Sequence, residues 1–345
     1  MTTIGCLGLV AGNNQAMKAT AKAVLSVVLL AIVLASARVT EAQRGGKIPR
    51  IGMICMGSCT SILYKPLRQR LADLGYVEGQ NVFIEQRSLE GRYERLAGLA
   101  AELVELKPDI ILVGGSARML HALKEVGDTI PIVFVTPDDP VRAGVVASLP
   151  RPAGNITGFT SLNTDLNGKR IAVLKEAMPR LTSAAVLFDY LDPMAPAMWH
   201  TMDITARSLK VRLQRLDVRS PDDVLEAMET ATKRGANALV VAESTVFFIH
   251  QTQIVDLAAK KRLPTVSPWR EFPEAGGLMS YGVNIRDMFR RAASYIDKIL
   301  KGMKPADLPV ERTIRIEMVV NLKAAKEIGL KIPPEVLQRA DIVIR

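Results

Sequence analysis

The stretch NVFIEQRSLEGRYERLAGLAAELVELKPDIILVGGS, residues 81–116, passes from one apolar run to another through an amphipathic segment at 92–107. Strand, helix, strand in that order is the unit of a parallel sheet, because parallel strands need a crossover long enough to return the chain. A second stretch, VRLQRLDVRSPDDVLEAMETATKRGANALVVAES at 211–244, repeats the order. Val82 and Ile110 lie 28 positions apart, and Val211 and Ala238 lie 27.

Further apolar, β-branched runs flank both stretches, at 50–56, 131–136, 184–190 and 264–269. The helix expected at 221–235 has Ser220 as its cap and Pro221 in its first turn, the residues a helix N-terminus favours. In each half a basic-ended helix leads to Ile-Pro or Leu-Pro and another strand, IPIVFVTPDDP or LPTVSPWREF. Two copies of one doubly wound α/β unit, Rossmann-like and joined by a hinge, fit this better than one long sheet. The join falls in PAGNITGFTS, 152–161. The tail offers a strong amphipathic helix at 284–302, a break at 305–310, an alternating strand at 312–321 and a last helix. The expected lobes are therefore 48–158 with about 283–311, and 159–282 with about 312–345.

Ahead of them lies an export signal. Lys18 and Lys22 precede an apolar run at 23–35, and Thr40 and Ala42 occupy the −3 and −1 positions of a cleavage site before Gln43. Residues 1–42 are thus expected to be removed, with Met17 as the expected start. Thirteen residues rise only about 20 Å as a helix, short of a bilayer core of about 30 Å, so secretion to the periplasm is favoured over a retained anchor.

The formal charge is +10, and removing Lys18, Lys22 and Arg38 with Glu41 leaves +8. Lys and Arg are scattered among acids along helices, with no basic block and no zinc-finger spacing, which argues against a nucleic-acid partner. Cys55 and Cys59 form a C-x-x-x-C at a strand end that can be a disulfide or two free thiols. His121, His200 and His250 are far apart, and no metal or cofactor is expected.

Ligands of open parallel sheets bind outside the carboxyl ends of the strands. Those ends carry Ser58 and Thr60, then Gly115 and Ser116, then Thr136, Asp138 and Asp139 in the first half. In the second half they carry Tyr190 and Asp192, then Glu243, Ser244 and Thr245, then Trp269 and Arg270, with Tyr281 close behind in the turn-rich SPWREFPEAGGLMSYG. Gly-Gly-Ser before a helix offers backbone N–H groups to a carboxylate, or is simply a capped turn. Asp138 and Asp139 can hold an ammonium group or a metal, or start a helix before Pro140. Tyr190, Trp269 and Tyr281 can stack on a ligand or pack a core, and Arg270 can fork onto a carboxylate or pair with a neighbouring acid. No P-loop, G-x-G-x-x-G, G-x-S-x-G or paired Cys and His is present, so binding without catalysis is expected.

LADLGYVEGQNV, EGRYERLAGLAAELV, IPIVFVTPDDPV, RPAGNITGFT, WREFPEAGGLMSYG, ILKGMKPADLPVE and VVNLKAAKEIGLKIPPEVLQRAD, in this order, resemble the ABC-transporter substrate-binding protein family similar to tryptophan-binding proteins. The resemblance implies a type I periplasmic binding protein fold, a monomer whose two lobes close on a small molecule, an amino acid or other small carboxylate, and dock on an ABC permease. The competing expectations are an exported enzyme using Asp138, Asp139 or Glu243, and a ligand-binding sensor module.

Overall fold

The computed structural model describes residues 47–127, 129–161, 166–190, 195–218, 223–313 and 315–345. The expected signal at 1–42, Asp192, and the Ser220 and Pro221 cap lie outside the described residues. The chain divides into a unit ending at Ile48 and a unit spanning Pro49–Arg345, and the second carries the fold.

The first half contributes strands β1 (Arg50–Cys55), β2 (Phe83–Ser88), β3 (Ile110–Gly114), β4 (Ile132–Thr136) and β5 (Ile156–Thr160). The second contributes β6 (Ser183–Phe188), β7 (Arg212–Asp217), β8 (Ala238–Val241), β9 (Thr265–Ser267) and β10 (Met279–Val283). The tail adds β11 (Glu311–Arg312), β12 (Ile316–Asn321) and β13 (Ile342–Ile344). Helices α1 (Lys65–Asp73), α2 (Leu96–Glu105) and α3 (Ala117–Val126) belong to the first half. The second half holds α4 (Leu166–Ala177), α5 (Ala195–Ser208), α6 (Asp223–Lys233), α7 (Thr245–Ile249), α8 (Gln251–Lys260) and α9 (Glu271–Glu274). The tail helices are α10 (Ile285–Leu300), α11 (Leu322–Glu327) and α12 (Pro334–Arg339).

One sheet has the order β2-β1-β3-β4-β5-β11 and is parallel throughout. The other has the order β7-β6-β8-β9-β10-β12-β13, parallel except where β12 runs against β10. Numbering each half from its own first strand, both sheets read 2-1-3-4-5, so the repeat seen in the sequence is a repeat of topology, and the fold is two-lobed α/β.

The burial pattern explains the apolar runs. Ile51, Met53, Ile110 and Leu112 face one side of the first sheet, into a cluster with Met288, Phe289, Ala292 and Ile296 of α10. Ile54, Ile111 and Val113 face the other, into a cluster with Leu96, Leu99, Ala100 and Leu103 of α2. Successive side chains alternate between faces, and both faces are covered, so the inner strands β1, β3 and β4 are apolar along almost their whole length. In the second sheet Ala184, Val186 and Phe188 alternate in the same way with Ala185 and Leu187.

The chain passes between sheets after β5, after β10 and after β11. β5 stays in register with β4 through Thr160, so the expected boundary at 158/159 falls inside a strand. Within the turn-rich stretch 267–282, the chain turns at Ala275 and Gly276 as expected, but its end is corrected: Met279–Val283 is a strand, with Met279, Ser280, Gly282 and Val283 buried between β9 and β12. A side chain at Gly282 would run into the backbone of Pro268, so this glycine admits close packing rather than a turn.

Candidate functional site

Strand order reverses between β1 and β3 in one sheet and between β6 and β8 in the other. At such a point loops leave the sheet in opposite directions and open a crevice at the carboxyl ends. The loop after β1 is closed by a Cys55–Cys59 disulfide with Cα atoms 5.6 Å apart, resolving the choice between bridge and free thiols. Between and beyond the cysteines, exposed Ser58 and Thr60 share a hydroxyl hydrogen bond of 2.8 Å, and the Thr60 N–H donates to Ser58 Oγ.

The loops after β3 and β4 are tied to each other. Ala117 N–H, the start of α3, donates to Asp138 Oδ2 at 2.6 Å. Asp138 N–H donates to Thr136 Oγ1, and Thr160 Oγ1 donates to the Asp138 carbonyl. Thus Asp138 supplies the anion expected at the Gly115-Ser116 helix start, and Thr136 is wholly buried as its support. Burial pushes the Asp138 carboxyl above its ordinary range, opposed by the Ala117 hydrogen bond. Ser116 Oγ pairs with the Tyr93 hydroxyl at 3.0 Å, while Gly115 accommodates the Met119 sulfur where a Cβ would stand. Asp139 Oδ1 accepts from the N–H groups of Val141 and Arg142, the ordinary chemistry of a turn before Pro140.

The loops at the carboxyl ends of the second sheet are built around charge. Ser244 caps α7, its Oγ accepting from Val246 N–H and donating to Asp189 Oδ2 at 2.8 Å, so the bond straddles the β6/β8 reversal. Next to it Glu243 faces the Arg170 guanidinium at 3.9 Å. Arg170 is 0% exposed; its Nε donates to the Tyr281 carbonyl and its Nη1 to Asn167 Oδ1, each at 2.8 Å. Its Nη2 is buried without a hydrogen-bond partner. Burial pulls the guanidinium below its ordinary pKa, and the Glu243 carboxylate opposes that. Thr245 opens α7, and its side chain lies outside the described residues.

The aromatic and basic residues divide. Tyr281, half-buried on β10, packs against a core cluster of each sheet, and Tyr190 packs against the second-lobe cluster that holds Phe188. Trp269 sits within the second-lobe core, 7% exposed, stacked on Phe272 and edge-on to Phe248 at 5.3 Å between centroids. Arg270 is held by Glu274 at 2.9 Å and Glu317 at 3.2 Å. The same acids extend to the crossing into α10, where Asn284 donates to Glu317 and Arg286 pairs with Glu271 and Glu274. Trp269 is thus packed in the second-lobe core, and Arg270 is engaged by acids that also hold the crossing segments.

The two rims meet. Ile249, ending α7, packs against the first-lobe cluster of Ile54, Met56 and Leu89, and a Cβ placed on Gly57 would lie 3.1 Å from its Cγ1. Asp189, Arg170, Phe248 and Ile249 are the rim residues that strand-end reading passes over. Asp189 directly follows β6 and was open to the same rule as Tyr190. Arg170 has no such signal, because its partners are far away in sequence.

The family model described as ABC transporter substrate binding protein matches residues 53–344. A tyrosine-binding protein of Clostridioides difficile is 21% identical over 262 residues, covering 76% of this chain and 74% of that protein. Among solved structures, a conserved domain protein from Vibrio cholerae superposes with a TM-score of 0.77 at 23% identity, over 86% of this chain and 100% of that one. An ABC domain from Streptococcus pneumonia in complex with L-Trp gives 0.74 at 24% identity, over 85% and 100% of the two chains. Both share the two-lobed fold, and with the family match spanning both lobes the chain belongs to the ABC transporter substrate-binding proteins.

Proposed function

We propose that this chain is the periplasmic, monomeric solute-binding component of an ABC importer, exported through a cleaved signal at 1–42, and that it holds an amino acid or other small carboxylate unaltered between its lobes. The observation that carries this reading is the meeting of Ile249 with Gly57, a contact between the helix that follows Glu243 and Ser244 in one lobe and the loop of Ser58 and Thr60 in the other. The exposed Ser58–Thr60 loop is the place for the carboxylate, since the α3 start is already engaged by Asp138. Asp189 and Glu243 are the place for an ammonium group, with Arg170 balancing the buried charge behind them. Tyr190 and Tyr281 border the body of the solute. The L-Trp complex and the tyrosine-binding relative favour an aromatic amino acid as first choice. Binding without turnover is supported by the bonding of Asp138 to a helix start and the pairing of Glu243 with Arg170, which engage both carboxyl groups within the protein.

Closure would follow from contacts made by both lobes to one solute, and the permease would read the closed state. A thermal-shift series with L-tryptophan, L-tyrosine, other amino acids and small carboxylates tests the reading, since a ligand of the folded state alone raises the melting temperature. A saturable rise with one solute class supports it. Conversion of the solute by the purified protein would instead support the exported enzyme.

A further inference from the structure

We propose that Ile249, backed by Phe248, is an apolar latch that favours apposition of the two lobes independently of any solute. The inference rests on the reading above only in taking the gap between the rims as the solute cleft.

On the second-lobe side α7 is firmly mounted. Ser244 caps it and bonds Asp189, Phe247 is fully buried in the lobe core, and Phe248 meets Trp269 edge-on. Its end therefore presents Phe248 and Ile249, both half-buried, in a fixed direction. On the first-lobe side the receiving surface is a notch made of two glycines. A Cβ on Gly57 would come within 3.1 Å of Ile249 Cγ1, and one on Gly91 within 3.6 Å of its Cδ1. Gly91 N–H donates to the Met56 carbonyl at 2.8 Å, and Ser88 Oγ donates to the Gly57 carbonyl at 2.9 Å, so the two glycines are held as one surface. Behind them Ile249 joins the packed cluster of Ile54, Met56 and Leu89, while Phe248 packs against core clusters of both halves.

Such a contact needs neither charge nor a directed hydrogen bond; removing apolar surface from water stabilises it. A solute would then add its binding energy to an equilibrium already displaced toward closure, and would enter through the unlatched minority.

The test is small-angle X-ray scattering from the exported chain, dialysed exhaustively and measured without added solute, as wild type, Ile249→Ala and Gly57→Val. The first variant removes the ridge from one lobe, and the second fills the notch in the other; Gly57 is not in the left-handed region, so valine adds bulk without backbone strain. Both are expected to enlarge the radius of gyration with native circular dichroism, Ile249→Ala raising the open-to-closed ratio about fivefold for loss of a half-buried side chain. If only one variant folds, its scattering decides the matter. Curves that superimpose on wild type would overturn the latch. The solute series run on the same proteins separates the two readings. Solute binding with unchanged scattering would remove only the latch, and shifted scattering with no solute bound would remove only the choice of solute.

Discussion

The Arg170 guanidinium, wholly shielded from solvent, lies 3.9 Å from the Glu243 carboxylate and donates to the Tyr281 carbonyl 111 residues away. One side chain thus joins the start of the second lobe, the rim after β8 and the strand from which the chain leaves that lobe. Removing one member of a buried pair strands the other's charge, so Arg170→Met is expected to lower unfolding stability by about 3 kcal/mol or more in urea melts. Adding Glu243→Gln should recover part of the loss, giving a non-additive cycle. Additive losses would mean that the two groups do not compensate each other.

Asp138 makes stability depend on acid in an unusual direction. Because burial raises its folded pKa above the ordinary 3.8, the folded protein keeps a proton that the unfolded chain has already released in the interval between the two values. Stability from this group is full below 3.8 and is lost as pH rises through the folded value. Asp138→Asn keeps an acceptor for Ala117 N–H without the charge. The melting temperature of the variant minus that of wild type should therefore grow as pH is raised from about 4 to 7. Asp138→Ala, which also loses the cap, should lie about 1 kcal/mol below Asp138→Asn at any pH.

Glu271 and Arg286 hold the crossing from β10 to α10 at 2.7 Å, with Glu271 only 3% exposed and one of its oxygens buried without a hydrogen-bond partner. Burial raises the Glu271 pKa, and Arg286 opposes that. Arg286→Met should remove the opposition and cost about 3 kcal/mol at neutral pH. The deficit should shrink as pH falls through the raised folded pKa of Glu271, because the protonated side chain no longer needs the guanidinium. Urea melts across the acid range would show the convergence, and a deficit constant with pH would assign the loss to packing.

The Cys55–Cys59 bridge closes a short loop at the carboxyl end of β1. For so few residues the chain-entropy contribution is small, about 2 kcal/mol. Replacing both cysteines by serine should lower stability by about that amount in urea. Solute affinity should fall further than an unchanged Ser58–Thr60 loop would allow. Equal affinity at reduced stability would make the bridge a structural staple alone.

Much of this architecture is written in local pattern. Strands covered on both faces must be apolar throughout, as Ile51 to Cys55 and Ala184 to Phe188 are, and their loops then mark the rim. That is why Ser58, Ser116, Tyr190, Glu243 and Ser244 could be named from strand ends. What was hidden depends on partners remote in sequence. Arg170 sits in a helix buried on nearly every side, where Lys169-Arg170 looks like a solvated pair until Tyr281 and Glu243 are brought to it. The Gly and Pro residues of 268–282 look like turn chemistry, although Gly282 is there to let β10 pass Pro268. Trp269 follows β9 as a rim residue should, yet its ring turns back onto Phe272, a choice set by packing rather than by position in the chain.

Hydrogen exchange, recorded with and without the best solute from the thermal-shift series, tests most directly whether a solute is held between the rims. Simultaneous protection of residues 57–60 in the first lobe and 243–249 in the second is the expected result. Protection confined to one lobe, protection away from both rims, or a series in which no amino acid or small carboxylate binds would contradict it.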